Sequence, residues 1–139
     1  MKKILILAAV AAFVATVYAC EYPDMELSGL KSAIEAKKVV LLDANGTESW
    51  QKGHIPGAID FSANKDKLAD LLPKEKDALI VAYCGGPNCN AYLSAAMAAE
   101  KLGYTNVKHF TAGISGWIKA GEKTEPGPTP TAGNSASNN

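Results

Sequence analysis

A cysteine at the end of an apolar run is the residue best placed to do chemistry in this chain. Leu79, Ile80, Val81, Ala82 and Tyr83 make a run of strand length, and Cys84 follows at once. Gly85-Gly86-Pro87-Asn88-Cys89-Asn90 is turn-rich, and the Ala-rich residues 91–99 have helical composition. That order sets a thiol over a helix N-terminus, where unpaired N–H groups and the helix dipole favour negative charge. Such a setting lowers a thiol's pKa and makes the sulfur a nucleophile. The amides of Gly85, Gly86, Asn88, Cys89 and Asn90 are candidates for an anion cradle, with a gap at Pro87, which has no N–H.

Each of these residues also has a plainer reading. Cys84 can be a buried structural thiol. Cys89 has three readings: a redox partner that resolves a modified Cys84, half of a resting disulfide, or a loop filler. The four residues between the two cysteines can curl enough to bring the sulfurs together. His54 is read as ordering a loop, with acid–base work as the alternative, and His109 as structural. Asp43, at a strand end, is expected to hydrogen-bond loop amides or a side chain. Trp50 and Trp117 are read as packing residues. Two cysteines and two distant histidines have no recognisable metal-ligand spacing, so no metal site is expected, and nothing implies a dissociable cofactor.

The elements around the thiol alternate. Ser28 reads as the N-cap of a short helix with Leu30 and Ile34 on its apolar face, ending near Lys37 and Lys38. Residues 39–42 form a continuous apolar strand ended by Asp43. Asn45-Gly46 is a turn, residues 47–50 a helical turn, and residues 58–61 a short strand. Residues 64–72 carry leucines at helical spacing and stop at Pro73. After the Cys84 loop, Leu93, Ala96, Met97 and Leu102 are expected to line the buried side of a helix that Gly103 ends. Residues 107–110 give a third strand, and Gly113, Gly116 and Trp117 open a last helix. Apolar strands alternating with helices predict an α/β domain with a mainly parallel sheet, whose ligands bind at the carboxyl ends of strands.

The two ends read differently. Met1-Lys2-Lys3 is basic, residues 4–17 are apolar or small with Thr16 as their one polar member, and Val17-Tyr18-Ala19 offers a small-residue cleavage site. Residues 1–19 therefore have the layout of a secretory signal peptide, with a run short for a membrane span, which predicts export to a bacterial periplasm. Val17-Tyr18-Ala19-Cys20 resembles a bacterial lipobox, making Cys20 a candidate lipid anchor and the only expected contact with membrane. Residues 20–26 read as a linker and residues 27–121 as the domain. Residues 122–139, rich in Pro, Gly, Thr, Ser and Asn, read as a disordered tail. Without Lys2 and Lys3, twelve Lys face fourteen acidic side chains, a net charge of −2. That balance gives no basic surplus for nucleic acid. The chain has no Arg.

Three separated motifs together resemble the rhodanese (sulfurtransferase) family. Gly53-His54-Ile55-Pro56-Gly57-Ala58 is similar to a Gly-His-Ile-Pro-Gly-Ala segment of that family, with Asp43 at the matching distance before it. Tyr83-Cys84 and the following loop are similar to its active-site loop. Ala112-Gly113-Ile114-Ser115-Gly116-Trp117 is similar to its late Gly-Gly-x-x-x-Trp motif. The resemblance implies a three-layer domain with a five-stranded parallel sheet flanked by helices. It also implies a Cys84 that takes sulfane sulfur from a small donor such as thiosulfate, holds it as a persulfide, and passes it to a thiol or other thiophilic acceptor. Many members carry basic residues where this chain has Asn45 and Asn90, so bidentate capture of an oxyanion is not available to it. The same lack weighs against a phosphatase or arsenate reductase of this fold, which needs a loop Arg. The non-enzymatic alternative is a thiol-redox or binding module with a Cys84–Cys89 disulfide.

Overall fold

The computed structural model describes residues 21–128; residues 1–19, Cys20 and residues 129–139 lie outside the described residues. The elements run α1 (Leu27–Glu35), β1 (Val40–Asp43), α2 (Thr47–Lys52), β2 (Ile59–Asp60), α3 (Phe61–Asn64), α4 (Leu68–Leu71), β3 (Ile80–Tyr83), α5 (Tyr92–Lys101), β4 (Val107–His109) and α6 (Gly113–Lys119). All four strands are parallel, in the order β2-β1-β3-β4. The strands alternate their side chains between two cores. Leu42, Ile80 and Ala82 pack with α5 and the α3–α4 side, while Leu41, Val81 and Tyr83 pack with Leu30, Ile55, Phe110 and Trp117. The result is the α/β domain with a parallel sheet that the alternating pattern predicts, in the three layers that the resemblance implies.

Strand order decides where a ligand would sit. The chain leaves β1 for β2 on one side and returns to β3 on the other, so the order reverses between β1 and β3. Open parallel sheets form a crevice beyond the carboxyl ends of strands at such a reversal. Asp43 pairs with Tyr83 there, so the segments starting at Ala44 and Cys84 leave the sheet side by side.

Several expectations are corrected. In place of a fifth strand, the described residues show one isolated parallel bridge, Asp24 with His109, beside β4. That bridge also changes the linker reading of residues 20–26: Met25 N–H donates to His109 O at 2.7 Å, and His109 N–H to Pro23 O at 3.0 Å. Residues 122–128 are likewise held rather than tail-like. His54 and Glu125 exchange backbone hydrogen bonds at 3.0 Å, and Gly127 N–H donates to Gln51 O. Tyr22 and Met25 pack against the two cores as well, whereas residues 122–128 are held by hydrogen bonds to residues far back in the chain, which composition does not disclose.

Within the domain, α1 starts at Leu27, so Ser28 lies in the first turn and Glu26 caps by position, with no side-chain bond. The helix over residues 64–72 is broken into α3, a 3-10 turn at Lys65–Lys67 and α4. Asp60 sets the early start: its carboxylate accepts from Ala63 N–H, which caps a helix at Phe61 where a strand was expected. On α5 the buried side is Ala95, Ala96 and Ala99, whereas Met97 is exposed. Ala95, Ala96 and Ala99 share the face turned to the sheet, and at about 100° per residue Met97 falls on the opposite side of the helix.

Candidate active site

Cys84 leaves the carboxyl end of β3 fully buried, and its sulfur is bonded to that of Cys89, with the two Cα atoms 6.2 Å apart. Cys89 N–H donates to Gly86 O at 3.0 Å, closing the turn that brings the second sulfur back. Cys89 is partly exposed, and Pro87, Asn88 and Asn90 are exposed. The loop enters α5 through 3.1 Å and 3.2 Å bonds from Leu93 N–H to Asn90 O and Ser94 N–H to Ala91 O.

The start of α6 anchors this loop. Ile114 N–H donates to Cys84 O at 2.9 Å, and Ser115 N–H donates to Gly85 O at 3.0 Å. Two orphan donors of a helix start therefore satisfy two carbonyls of an irregular loop. Gly113 makes this approach feasible. Its φ is 60°, and a Cβ there would lie 2.5 Å from Cys84 O and 2.6 Å from Gly86 N. Gly86 is similarly confined, since a Cβ on it would lie 2.6 Å from Ser115 Oγ.

The loop carbonyls are thus taken, while its donors are not. Among the described residues, the amides of Gly85, Gly86, Asn88 and Asn90 have no hydrogen-bond acceptor. Cys89 is the exception within the expected cradle, because its amide closes the turn. The cradle accordingly consists of four amides, with Pro87 as the expected gap. Asn45, from the neighbouring segment after β1, brings its Oδ1 to 3.7 Å from the position of a Cβ on Gly85.

Asp43 and His54 belong to the scaffold of the neighbouring loop. Tyr83 O–H donates to Asp43 Oδ2 at 2.6 Å and accepts from Ile55 N–H at 3.0 Å, while Asp43 Oδ1 accepts from Asn45 N–H at 2.7 Å. Burial and the Asp43 carboxylate push the Tyr83 phenol up, so it stays protonated and donates. His54 Nδ1 donates to Trp50 O at 2.8 Å, and its ring stacks on that of Trp50. His54 Nε2 lies 3.3 Å from Glu125 Oε1, which also accepts from Gly57 N–H at 2.7 Å. None of these side chains bonds to residues 84–90. No cluster of His, Cys, Asp or Glu able to hold a metal occurs among the described residues.

Sequence reasoning gave no site role to four residues that border the loop. Gly113 stands in the motif, but residue type does not disclose the contact it permits. The amides of Ile114 and Ser115 leave no trace in residue type either. His109 stacks on Tyr92, and its Nδ1 meets Thr111 Oγ1 at 3.2 Å, but its buried Nε2 has no partner. Burial lowers its pKa, with Asp24 opposing. These residues, with Asp24, Pro87 and Asn90, line a cleft of about 470 Å³ beside the loop.

With this geometry in hand, comparison with known proteins gives the family. The chain belongs to the rhodanese-like domain family, whose model matches residues 26–120. It is 28% identical over 102 residues to the thiosulfate sulfurtransferase GlpE of Shewanella oneidensis, covering 71% of this chain and 95% of that protein. It is 38% identical over 95 residues to the HTH-type transcriptional regulator Rv0324 of Mycobacterium tuberculosis, covering 67% of this chain but only 40% of the regulator. The human single-domain sulfurtransferase TSTD1 shares the fold, with a TM-score of 0.57 at 21% identity, covering 70% of this chain and 96% of that one. A rhodanese-like unit therefore occurs in sulfurtransferases and also within a larger regulator.

Proposed function

We propose that this rhodanese-like chain is an exported sulfurtransferase that carries sulfane sulfur as a persulfide on Cys84. The Cys84 thiolate attacks the sulfane sulfur of a donor such as thiosulfate. A Cys84 S–S bond forms, the donor's S–S bond breaks, and sulfite leaves with the electron pair. A thiol or other thiophilic acceptor then takes the outer sulfur and restores the Cys84 thiolate. The observation that carries this reading is the set of free loop amides at Gly85, Gly86, Asn88 and Asn90, beside carbonyls turned away to α6. Amides that need not release another acceptor can bind donor oxyanion and persulfide charge, each hydrogen bond to a charged group contributing about 1.5–3 kcal/mol. They stand in for the Arg that the chain lacks.

The cycle starts from a reduced loop, so the Cys84–Cys89 bond must first be opened. Prereduced protein given thiosulfate and cyanide is expected to form sulfite and thiocyanate, and Cys84→Ser to form neither. Thiocyanate formation that survives in Cys84→Ser would contradict the proposal.

The Cys84–Cys89 bond itself supports a second reading, a thiol-redox or binding module in which the two cysteines are paired. A bond that resists reductant in the folded protein would favour its structural, binding form. Export to the periplasm and lipidation at Cys20 rest on the residue pattern of the N-terminus alone. Intact mass of the mature protein, isolated from cells, tests both together.

A further inference from the structure

We infer that Cys89 is a resolving thiol that converts the Cys84 persulfide into free sulfide and the Cys84–Cys89 disulfide, which a small dithiol then reopens. This rests on the sulfurtransferase reading and goes beyond it, because it gives the outer sulfur an exit that needs no external sulfur acceptor.

Four observations carry it. The fold already holds the two sulfurs at bonding distance, with the Cys89 amide tied to Gly86 O so that the turn returns Cys89 to Cys84. A neighbouring thiol in a closed turn has a high effective concentration, which an acceptor in solution must outcompete. Cys84 is only 1% exposed whereas Cys89 is partly exposed, so the partner in the loop reaches the inner sulfur more readily than an outside thiol does. The exposed residues flanking Cys89, Pro87 and Asn90, border the cleft of about 470 Å³, which leaves room for a reductant on the Cys89 side.

The steps balance. The Cys89 thiolate attacks the inner sulfur of the Cys84 persulfide, the Cys84–Cys89 bond forms, the bond to the outer sulfur breaks, and hydrosulfide leaves with the electron pair. The sulfane sulfur is reduced and the two cysteines are oxidised. A dithiol then attacks Cys89, the exposed end of the disulfide, and Cys84 leaves as thiolate. The second thiol of the reductant displaces Cys89 and leaves as the oxidised, cyclised dithiol. Per cycle, thiosulfate and a dithiol become sulfite, sulfide and a disulfide.

The test is a single turnover without air. Full-length protein is reduced, freed of reductant and mixed with thiosulfate, and sulfite, sulfide and free thiols are counted. The expected result is one sulfite and one sulfide per chain with loss of both loop thiols, then arrest until dithiothreitol is added. Cys89→Ser is expected to release sulfite but retain its sulfur, with sulfide formation slower by roughly a hundredfold, since the intramolecular attack is gone. Wild-type protein that keeps its persulfide with Cys89 free would overturn the inference while leaving sulfur transfer standing. Absence of sulfite from both proteins would overturn both. The wild-type count decides the matter even where the variant fails to fold.

Discussion

Two irregular segments, residues 53–58 before β2 and residues 84–90 after β3, are held in opposite ways. In the residue 53–58 loop, donors are satisfied: Ile55 N–H by the Tyr83 phenol, Gly57 N–H by Glu125, Ala58 N–H by Ile55 O, and His54 N–H by Glu125 O. Trp50 Nε1 adds a bond to Ala58 O. In the residue 84–90 loop the carbonyls of Cys84, Gly85 and Gly86 are satisfied and four amides are left open. A segment with its donors used is scaffold. One whose carbonyls are fixed and whose donors remain free is prepared for an anion, because its dipoles are oriented before anything binds.

The contrast can be broken from either side. Tyr83→Phe should cost most in stability, about 2–4 kcal/mol by urea denaturation. It strands Oδ2 of the buried Asp43 carboxylate and the Ile55 amide together. Sulfur loading at a temperature where the variant remains folded should change less than stability does. Gly113→Ala reverses that balance. Its Cβ drives into the backbone at Cys84 and Gly86 and occupies a left-handed conformation, so thiosulfate-dependent sulfite release should fall at least tenfold. The accompanying loss of stability should be about 1–3 kcal/mol.

Acid should act through His109, outside both loops. Its folded pKa lies below the ordinary 6.5, so the unfolded chain binds the proton first. Its contribution to stability is therefore complete above about 6.5 and is lost as pH falls through the folded value. Asp24, whose charge opposes the shift, limits its size. His109→Gln should flatten the acid limb of a stability–pH curve relative to the wild type. The smallest effect belongs to Glu125→Gln: the carboxylate is half exposed, so thermal stability should drop by no more than about 1 kcal/mol, with sulfur loading unchanged.

Much of this contrast was legible in residue types, and the rest was not for definite reasons. Apolar runs at Val40–Asp43 and Ile80–Tyr83 mark strands buried on both faces, and strand, Cys84 and glycines together locate the loop. Three motifs gave the family. What residue type does not carry is backbone direction. Which amides stay open depends on Ile114 and Ser115 reaching back across the fold, and the removal of Cys89 from the cradle depends on a bond to Gly86. The holding of residues 23–25 and 125–127 was hidden for a related reason, since it runs through backbone bonds to residues far away in the chain. Met97 fails as a core residue because the buried face of α5 runs through Tyr92, Ala95, Ala96, Ala99 and Leu102, and Met97 lies on the far side of the helix from it. Cys84 and Cys89 were paired only as one of three readings, and the loop turn is what brings them together.

Everything proposed for the open-amide loop depends on Cys84 being the atom that takes the sulfur. Peptide mapping by mass spectrometry of prereduced Cys89→Ser after exposure to thiosulfate reads this out at the residue itself. The expected result is one added sulfur on the peptide at Cys84, lost on treatment with cyanide. A protein that is folded and reduced yet gains no sulfur at Cys84 would contradict it.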